Sequence, residues 1–162
     1  LLADGLDVCY AVIGIGEDRA YLEKLAEENG VRERVHFLGH VSMADLPRWY
    51  NACSVFAMPN REIDGDTEGF GMVFLEAAAC AKPVLAGIAG GTAAAVEHGV
   101  SGLGVDGNSL SEVAKGLAYI LGQDGIAMTL GRNGYARVRD QGSWEAVAAK
   151  TAALLARHSG KD

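Results

Sequence analysis

At 162 residues, with 49% apolar and 22% charged side chains, the chain carries enough apolar material for one folded core and little more. Its 14 basic and 21 acidic residues leave a formal charge of −7, which argues against nucleic acid as a main partner, since no basic stripe exists to displace counterions. An anionic nucleotide stays open, because phosphate recognition rests on local N–H groups rather than on global charge. Cys9, Cys53 and Cys80 lie in apolar stretches without a CxxC spacing, which predicts reduced core thiols and a cytosolic setting. No targeting peptide or membrane span is visible, because the apolar run around Phe74 is interrupted by Glu76, Lys82 and Pro83.

Along the chain, Leu1-Leu2-Ala3-Asp4-Gly5 reads as the end of a helix running into a strand, Cys9–Gly14. A helix follows over Asp18–Asn29, with Leu22, Leu25 and Ala26 on one face and Gly30 at its exit. Val35–Leu38 is a short strand. Ser42 offers an N-cap to a helix reaching Asn51, and Ser54–Met58 is a buried strand ended by Pro59. The next helix, Gly71–Ala81, stops before Lys82-Pro83. Val84–Ala86, a glycine turn, a short helix Thr92–Glu97 and a last strand Leu103–Val105 come next. Helices over Ser109–Leu121, Gly125–Arg139 and Ser143–His158 complete the chain. This alternation predicts an α/β fold, a Rossmann-like doubly wound parallel sheet. In such sheets ligands bind beyond the carboxyl ends of the strands. Four glycine-bearing loops, at Gly14–Gly16, Gly39–Val41, the Glu68 segment and Gly87–Gly91, are expected to line one crevice there.

The most telling segment is Glu68-Gly69-Phe70-Gly71-Met72-Val73-Phe74-Leu75-Glu76. Two carboxylates frame a Gly-x-Gly turn at the start of a helix. Glycines let backbone N–H groups approach a ligand, the helix N-terminus favours negative charge, and carboxylates accept from sugar or ribose hydroxyls. Glu76 sits among Phe74, Leu75 and Ala77–Ala79, where a carboxylate without a partner costs stability. Other nucleotide chemistries fit poorly. A dinucleotide motif starting at Gly14-x-Gly16 meets Arg19 where its third glycine belongs, and no Walker lysine follows any glycine run. His36, His98 and His158 have no metal-ligand spacing, so neither metal nor cofactor is expected.

The segment resembles the donor-binding motif (Glu, seven residues, Glu) of family 4 retaining glycosyltransferases of the GT-B fold. The resemblance extends through Val12–Gly16, Val35–Val41, Ala52–Pro59, Gly90-Gly91 and Gly99–Leu103, in the family's order. It implies that residues 1–162 form the C-terminal, nucleotide-sugar-binding half of a longer enzyme. The N-terminal acceptor domain, the domain's first strand and the diphosphate-gripping Arg and Lys would lie outside this sequence, and the isolated segment would be inactive. The implied reaction moves a hexose from a nucleoside-diphosphate sugar to a glycan or lipid-linked hydroxyl with retention, mannosyl transfer included. Any membrane contact would run through the other domain, at the inner face of the membrane.

The resemblance also implies roles. Glu68 is the catalytic-site carboxylate reaching the transferred sugar, beside the donor-binding Gly69, Phe70, Gly71, Met72 and Val73, and the amides of Phe70, Gly71 and Met72 face the sugar or distal phosphate. Glu76 accepts from the ribose hydroxyls. Gly39, His40 and Val41 meet the base through their backbone, with Gly16 nearby, and Gly90 and Gly91, ahead of Thr92, support the phosphates. The His40 side chain either touches the base or is a solvated loop residue. Arg61, in the long loop Asn60–Thr67, either meets a phosphate or pairs with Glu62 or Asp64. The stripe Val147, Ala148, Leu154 and Leu155 packs toward the other domain, docks on its own sheet or pairs between chains. Two other classes share the architecture: a non-catalytic nucleotide-sugar-binding module and a GT-B-fold sugar-nucleotide epimerase.

Overall fold

Among the described residues every pairing of the five strands is parallel, and a helical segment separates each strand from the next. The computed structural model describes residues 1–159. Hydrogen bonds divide the strands into two ladders, one of two strands and one of three. Packing likewise divides the chain into two units, Leu1–Trp49 and Tyr50–Asp162.

In the first unit β1 (Tyr10–Ile13) leads to α1 (Arg19–Glu28) and then to β2 (Val35–Gly39). Tyr10 pairs with Val35 and Ile13 with Gly39, with a register irregularity between Val12 and Ile13. The exit of α1 closes as expected. Gly30 N–H donates to the Glu27 carbonyl and Val31 N–H to that of Ala26, the paired bonds of a Schellman cap. The expected core position of Cys9 is corrected: Cys9 is exposed, and Tyr10 beside it is 55% exposed.

Helix α2 (Leu46–Ala52) begins later than its sequence signal. Ser42 does accept from Asp45 N–H (3.2 Å), but this closes a turn ahead of the helix. Pro47 has no N–H to give to the preceding turn, so the regular ladder is entered with proline in its first turn.

The second unit holds β3 (Phe56–Met58), β4 (Val84–Gly87) and β5 (Leu103–Val105), in the order β3-β4-β5. Its helices are α3 (Met72–Ala79), α4 (Thr92–Ala95), α5 (Leu110–Leu121), α6 (Asp124–Arg137) and α7 (Trp144–Ser159), with a π-helical segment Val138–Gly142 between the last two. Central β4 is buried along its whole length. Leu85 from it meets Val105, Ile120 and Leu130 in the core. A fully buried aliphatic side chain of this kind contributes about 1.5–3 kcal/mol.

One seam of this unit lies directly behind α3. A Cβ on Gly131 of α6 would stand 2.2 Å from the Ala81 carbonyl oxygen, so only glycine lets α6 approach the turn that closes α3. Helix α7 leaves Val147, Leu154 and Leu155 of the apolar stripe exposed, together with Trp144, so of the three readings docking on its own sheet does not occur among the described residues. No helix among them is long and apolar enough to cross a membrane.

Candidate functional site

At the carboxyl ends of β3 and β4, the side chain of Asn60 joins two strand ends. Its Oδ1 accepts from Gly87 N–H (3.1 Å) and its Nδ2 donates to the Ala89 carbonyl (3.1 Å). Beyond Asn60 the long loop folds into a hairpin. Ile63 and Asp66 exchange both backbone bonds (3.0 and 2.9 Å), with Asp64 at φ 52° and Gly65 at φ 83°. Positive φ at both central residues belongs to a two-residue primed turn, for which Asp-Gly is a favoured pair. The hairpin walls a cleft of about 240 Å³ lined by Arg61, Ile63, Asp66, Thr67 and Glu68. Arg61 pairs with neither Glu62 nor Asp64 among the described residues; it borders the cleft instead.

The half-buried Glu68 binds its own loop at both ends. Its Oε1 accepts from Gly71 N–H (2.9 Å) and from Phe70 N–H (3.3 Å), while its carbonyl accepts from Gly91 N–H (2.9 Å). Two of the three amides assigned to a ligand are thus held by the Glu68 carboxylate; the third, that of Met72, stands with that of Val73 at the helix start, where neither has an intrahelical acceptor. Gly71 adopts φ 84°, a left-handed conformation that turns the chain into α3. Gly90 and Gly91 pack against the same loop, and a Cβ on Gly91 would lie 1.9 Å from the Gly69 carbonyl oxygen. Thr92 is buried and donates its hydroxyl to the Gly87 carbonyl (2.6 Å), so it braces the turn from behind. Glu68, Gly69, Phe70, Gly71, Gly90 and Gly91 therefore form one continuous surface at the sheet's carboxyl edge.

Glu76 lies on the second turn of α3, half-buried, and has a partner that sequence reasoning missed. Tyr50 Oη donates to its Oε2 at 2.8 Å. The Tyr50 ring is buried against Phe56 (centroids 5.5 Å apart, 63°), which in turn meets Phe74 edge-on (6.0 Å, 70°). Burial, and then the hydrogen bond to the Glu76 carboxylate, pushes the Tyr50 phenol above its ordinary value and keeps it protonated as a donor. Because the native state holds this proton more tightly than the unfolded chain, the resulting stability is complete below the ordinary value of 10.0 and is lost as pH rises above it. The stability difference between wild type and Tyr50→Phe should therefore be constant below pH 10. Above that it should shrink by up to about 1.4 kcal/mol per pH unit, as read by denaturant melts across pH.

In the first unit the predicted loop residues also meet at strand ends. Gly14 N–H donates to the Gly39 carbonyl (2.9 Å), and the Gly16 carbonyl accepts from Arg19 N–H (3.4 Å). His40 is exposed, with Nδ1 3.2 Å from the carbonyl of Val41. Arg19, read in the sequence only as a misfit to a dinucleotide motif, stands over the Phe37 ring (5.8 Å) beside Gly39. Tyr50 and Asn60 carried weak sequence signals, since a helix tyrosine and an asparagine after proline have many roles. The Asp64-Gly65 pair was a legible turn signal. Among the described residues no three His, Cys, Asp or Glu side chains could share a metal ion.

Residues 2–137 match the family described as glycosyl transferases group 1. A GDP-mannose-dependent alpha-(1-6)-phosphatidylinositol monomannoside mannosyltransferase from Mycobacterium tuberculosis is 40% identical over 146 residues, covering 89% of this chain and 38% of the relative. A D-inositol 3-phosphate glycosyltransferase from Salinispora arenicola is 40% identical over 124 residues, covering 76% and 27%. The crystal structure of Anabaena HepE in complex with UDP superposes with a TM-score of 0.79 at 28% identity, covering 93% of this chain and 41% of HepE. The chain thus spans roughly two fifths or less of the length of these relatives, and its structural neighbours are GT-B glycosyltransferases. With its family match spanning both units and the two-glutamate turn at its strand ends, the chain belongs to the glycosyl transferases of group 1.

Proposed function

We propose that this chain is the donor-binding domain of a retaining mannosyltransferase that moves mannose from GDP-mannose to a hydroxyl of an inositol-containing lipid. The observation that carries the reading is the pair Glu68 and Glu76 around the glycine turn of α3, with Glu76 Oε1 unpartnered among the described residues. Two relatives at 40% identity, one GDP-mannose-dependent and both named for inositol substrates, support the donor and acceptor classes. Three free cysteines suit a reducing, cytoplasmic setting, with the lipid reached at the inner face of the membrane through a part of the protein outside this sequence.

In this reading the ribose hydroxyls donate to Glu76. The Glu68 carboxylate exchanges its contact with the Phe70 and Gly71 amides for hydroxyls of the mannose, and those amides, with Met72 and Val73, turn to the distal phosphate. Gly90 and Gly91 back the phosphate side of the loop. The bond from the anomeric carbon to the diphosphate breaks, one to the acceptor oxygen forms on the same face, and the acceptor's proton passes to the departing diphosphate. Once turned, these N–H dipoles stabilise the departing diphosphate, and the Glu68 carboxylate holds the sugar as positive charge develops at its ring. For the first unit the resemblance assigns Gly16, Gly39, His40 and Val41 to the nucleotide.

Titration with GDP, UDP and ADP at millimolar concentration, followed by backbone amide shifts, tests the reading. GDP is expected to move Phe70, Gly71, Met72 and Glu76 most. If all three nucleotides leave these amides unmoved in the full-length protein, the donor site lies elsewhere. If UDP or ADP moves them and GDP does not, the GDP-mannose assignment fails.

A further inference from the structure

The geometry points to Tyr50 as a positioning residue for donor recognition: its hydroxyl holds Oε2 of Glu76 so that Oε1 is presented to the ribose hydroxyls. The inference rests on the donor-site reading above and adds to it the means by which the ribose acceptor is aimed. Three observations carry it. The donor and acceptor stand 2.8 Å apart, and a phenol directed at Oε2 takes one of that oxygen's acceptor sites while leaving Oε1 wholly open to a ligand. Tyr50 is itself immobilised, being 7% exposed and packed edge-on against Phe56, which packs edge-on against Phe74 of the same helix as Glu76. The backbone carrying it is also tied to the end of α3: Lys82 Nζ donates to the Asn51 carbonyl (2.7 Å), and Asn51 Nδ2 reaches Cys80 Sγ (3.6 Å). Tyrosine and glutamate thus share a frame built from the last turn of α2, strand β3 and helix α3.

Without the phenol, a half-buried carboxylate on the second turn of a helix is free to rotate about its side-chain torsions. It would still attract hydroxyls, but in no preferred geometry. The expected signature is a loss of discrimination for the ribose diol, since a pre-aimed acceptor rewards hydroxyls in one place only. A tyrosine that merely fills the core would give a different signature, a lower melting point with the discrimination intact.

The test compares binding of GDP and of 2′,3′-dideoxy-GDP to the full-length wild-type, Tyr50→Phe and Glu76→Gln proteins by calorimetric titration. Phenylalanine keeps the ring and its aromatic packing, and circular dichroism verifies the fold. Hydrogen bonds to a charged group imply that wild type prefers the diol by about tenfold or more. Tyr50→Phe should reduce that preference by about fivefold or more, largely by weakening GDP, with the dideoxy affinity unchanged. Glu76→Gln should also lose it. If Tyr50→Phe keeps the wild-type preference while Glu76→Gln loses it, the donor reading stands and the role of Tyr50 is overturned. Equal weakening of both nucleotides in Tyr50→Phe overturns it as well, by assigning a structural role. If Glu76→Gln keeps the preference, Glu76 does not meet the ribose and both readings fall together.

Discussion

Gly91→Ala is expected to be among the most damaging single-methyl changes in this protein, lowering its melting temperature by roughly 6–12 °C. The added carbon would lie 1.9 Å from the Gly69 carbonyl oxygen and 2.9 Å from the carbon bearing it. A backbone carbonyl cannot rotate away as a side-chain tip can, so one of the two loops must move by about 1 Å or more to restore ordinary contact distances. The cost falls at about 3 kcal/mol, the upper part of the usual range for overpacking. The movement also breaks the Gly91 N–H bond to the Glu68 carbonyl, so nucleotide affinity should fall with stability. Gly125→Ala is the control. That residue lies in α6 with nothing within 4 Å of the place an added methyl would occupy, and alanine there should be neutral or stabilising by about 0.5–1 kcal/mol. Calorimetric melts of both variants check the pair, and wild-type melting of Gly91→Ala would contradict the close loop packing.

Glu68→Ala and Glu68→Gln separate two tasks held by one side chain. In the structure the carboxylate accepts from Gly71 and Phe70 N–H, which shapes the entry to α3. In the proposed reaction it also holds the sugar. Alanine removes both, and sugar transfer by the full-length enzyme should fall by about 10²–10³ in kcat, as for loss of one strong electrostatic contact at a reacting centre. Glutamine keeps a carbonyl acceptor for the two amides and removes the charge. It should retain wild-type melting within about 0.5 kcal/mol and still lose most of the rate. Steady-state kinetics with GDP-mannose, beside melts, distinguish them. Equal rates for wild type and Glu68→Gln would show that the carboxylate serves the turn alone.

The element order was legible because each signal was local. Apolar runs such as Val84–Ala86, the breaker Lys82-Pro83 and the exit glycine Gly30 depend on a few neighbouring residues, and the structure places all three as read. Boundaries drifted where a signal had two solutions, as when Ser42 capped a turn and Pro47 delayed α2. The two-glutamate turn was legible for the same local reason. Its braces were not, since the partner of Glu76 is Tyr50 and the partner of Gly87 is Asn60, in each case more than two dozen residues away. Nothing in a one-dimensional pattern reports such a pairing. Cys9 was misplaced because an apolar neighbourhood in sequence does not guarantee burial: strand β1 presents most of its residues outward.

The seam between Gly131 and Ala81 bears on how this domain could diversify. With a backbone carbonyl pressed against a glycine, α3 has a rigid rear wall, and Glu76 cannot be re-aimed by shifting its helix. Change is channelled to the solvent-exposed loop ahead of it. The hairpin Ile63–Asp66 walls the cleft beside Glu68, and this loop can lengthen, shorten or exchange Arg61 at small cost to the fold. New donor preferences in descendants of this sequence should accordingly be written between Asn60 and Glu68, while the helix behind them stays as it is.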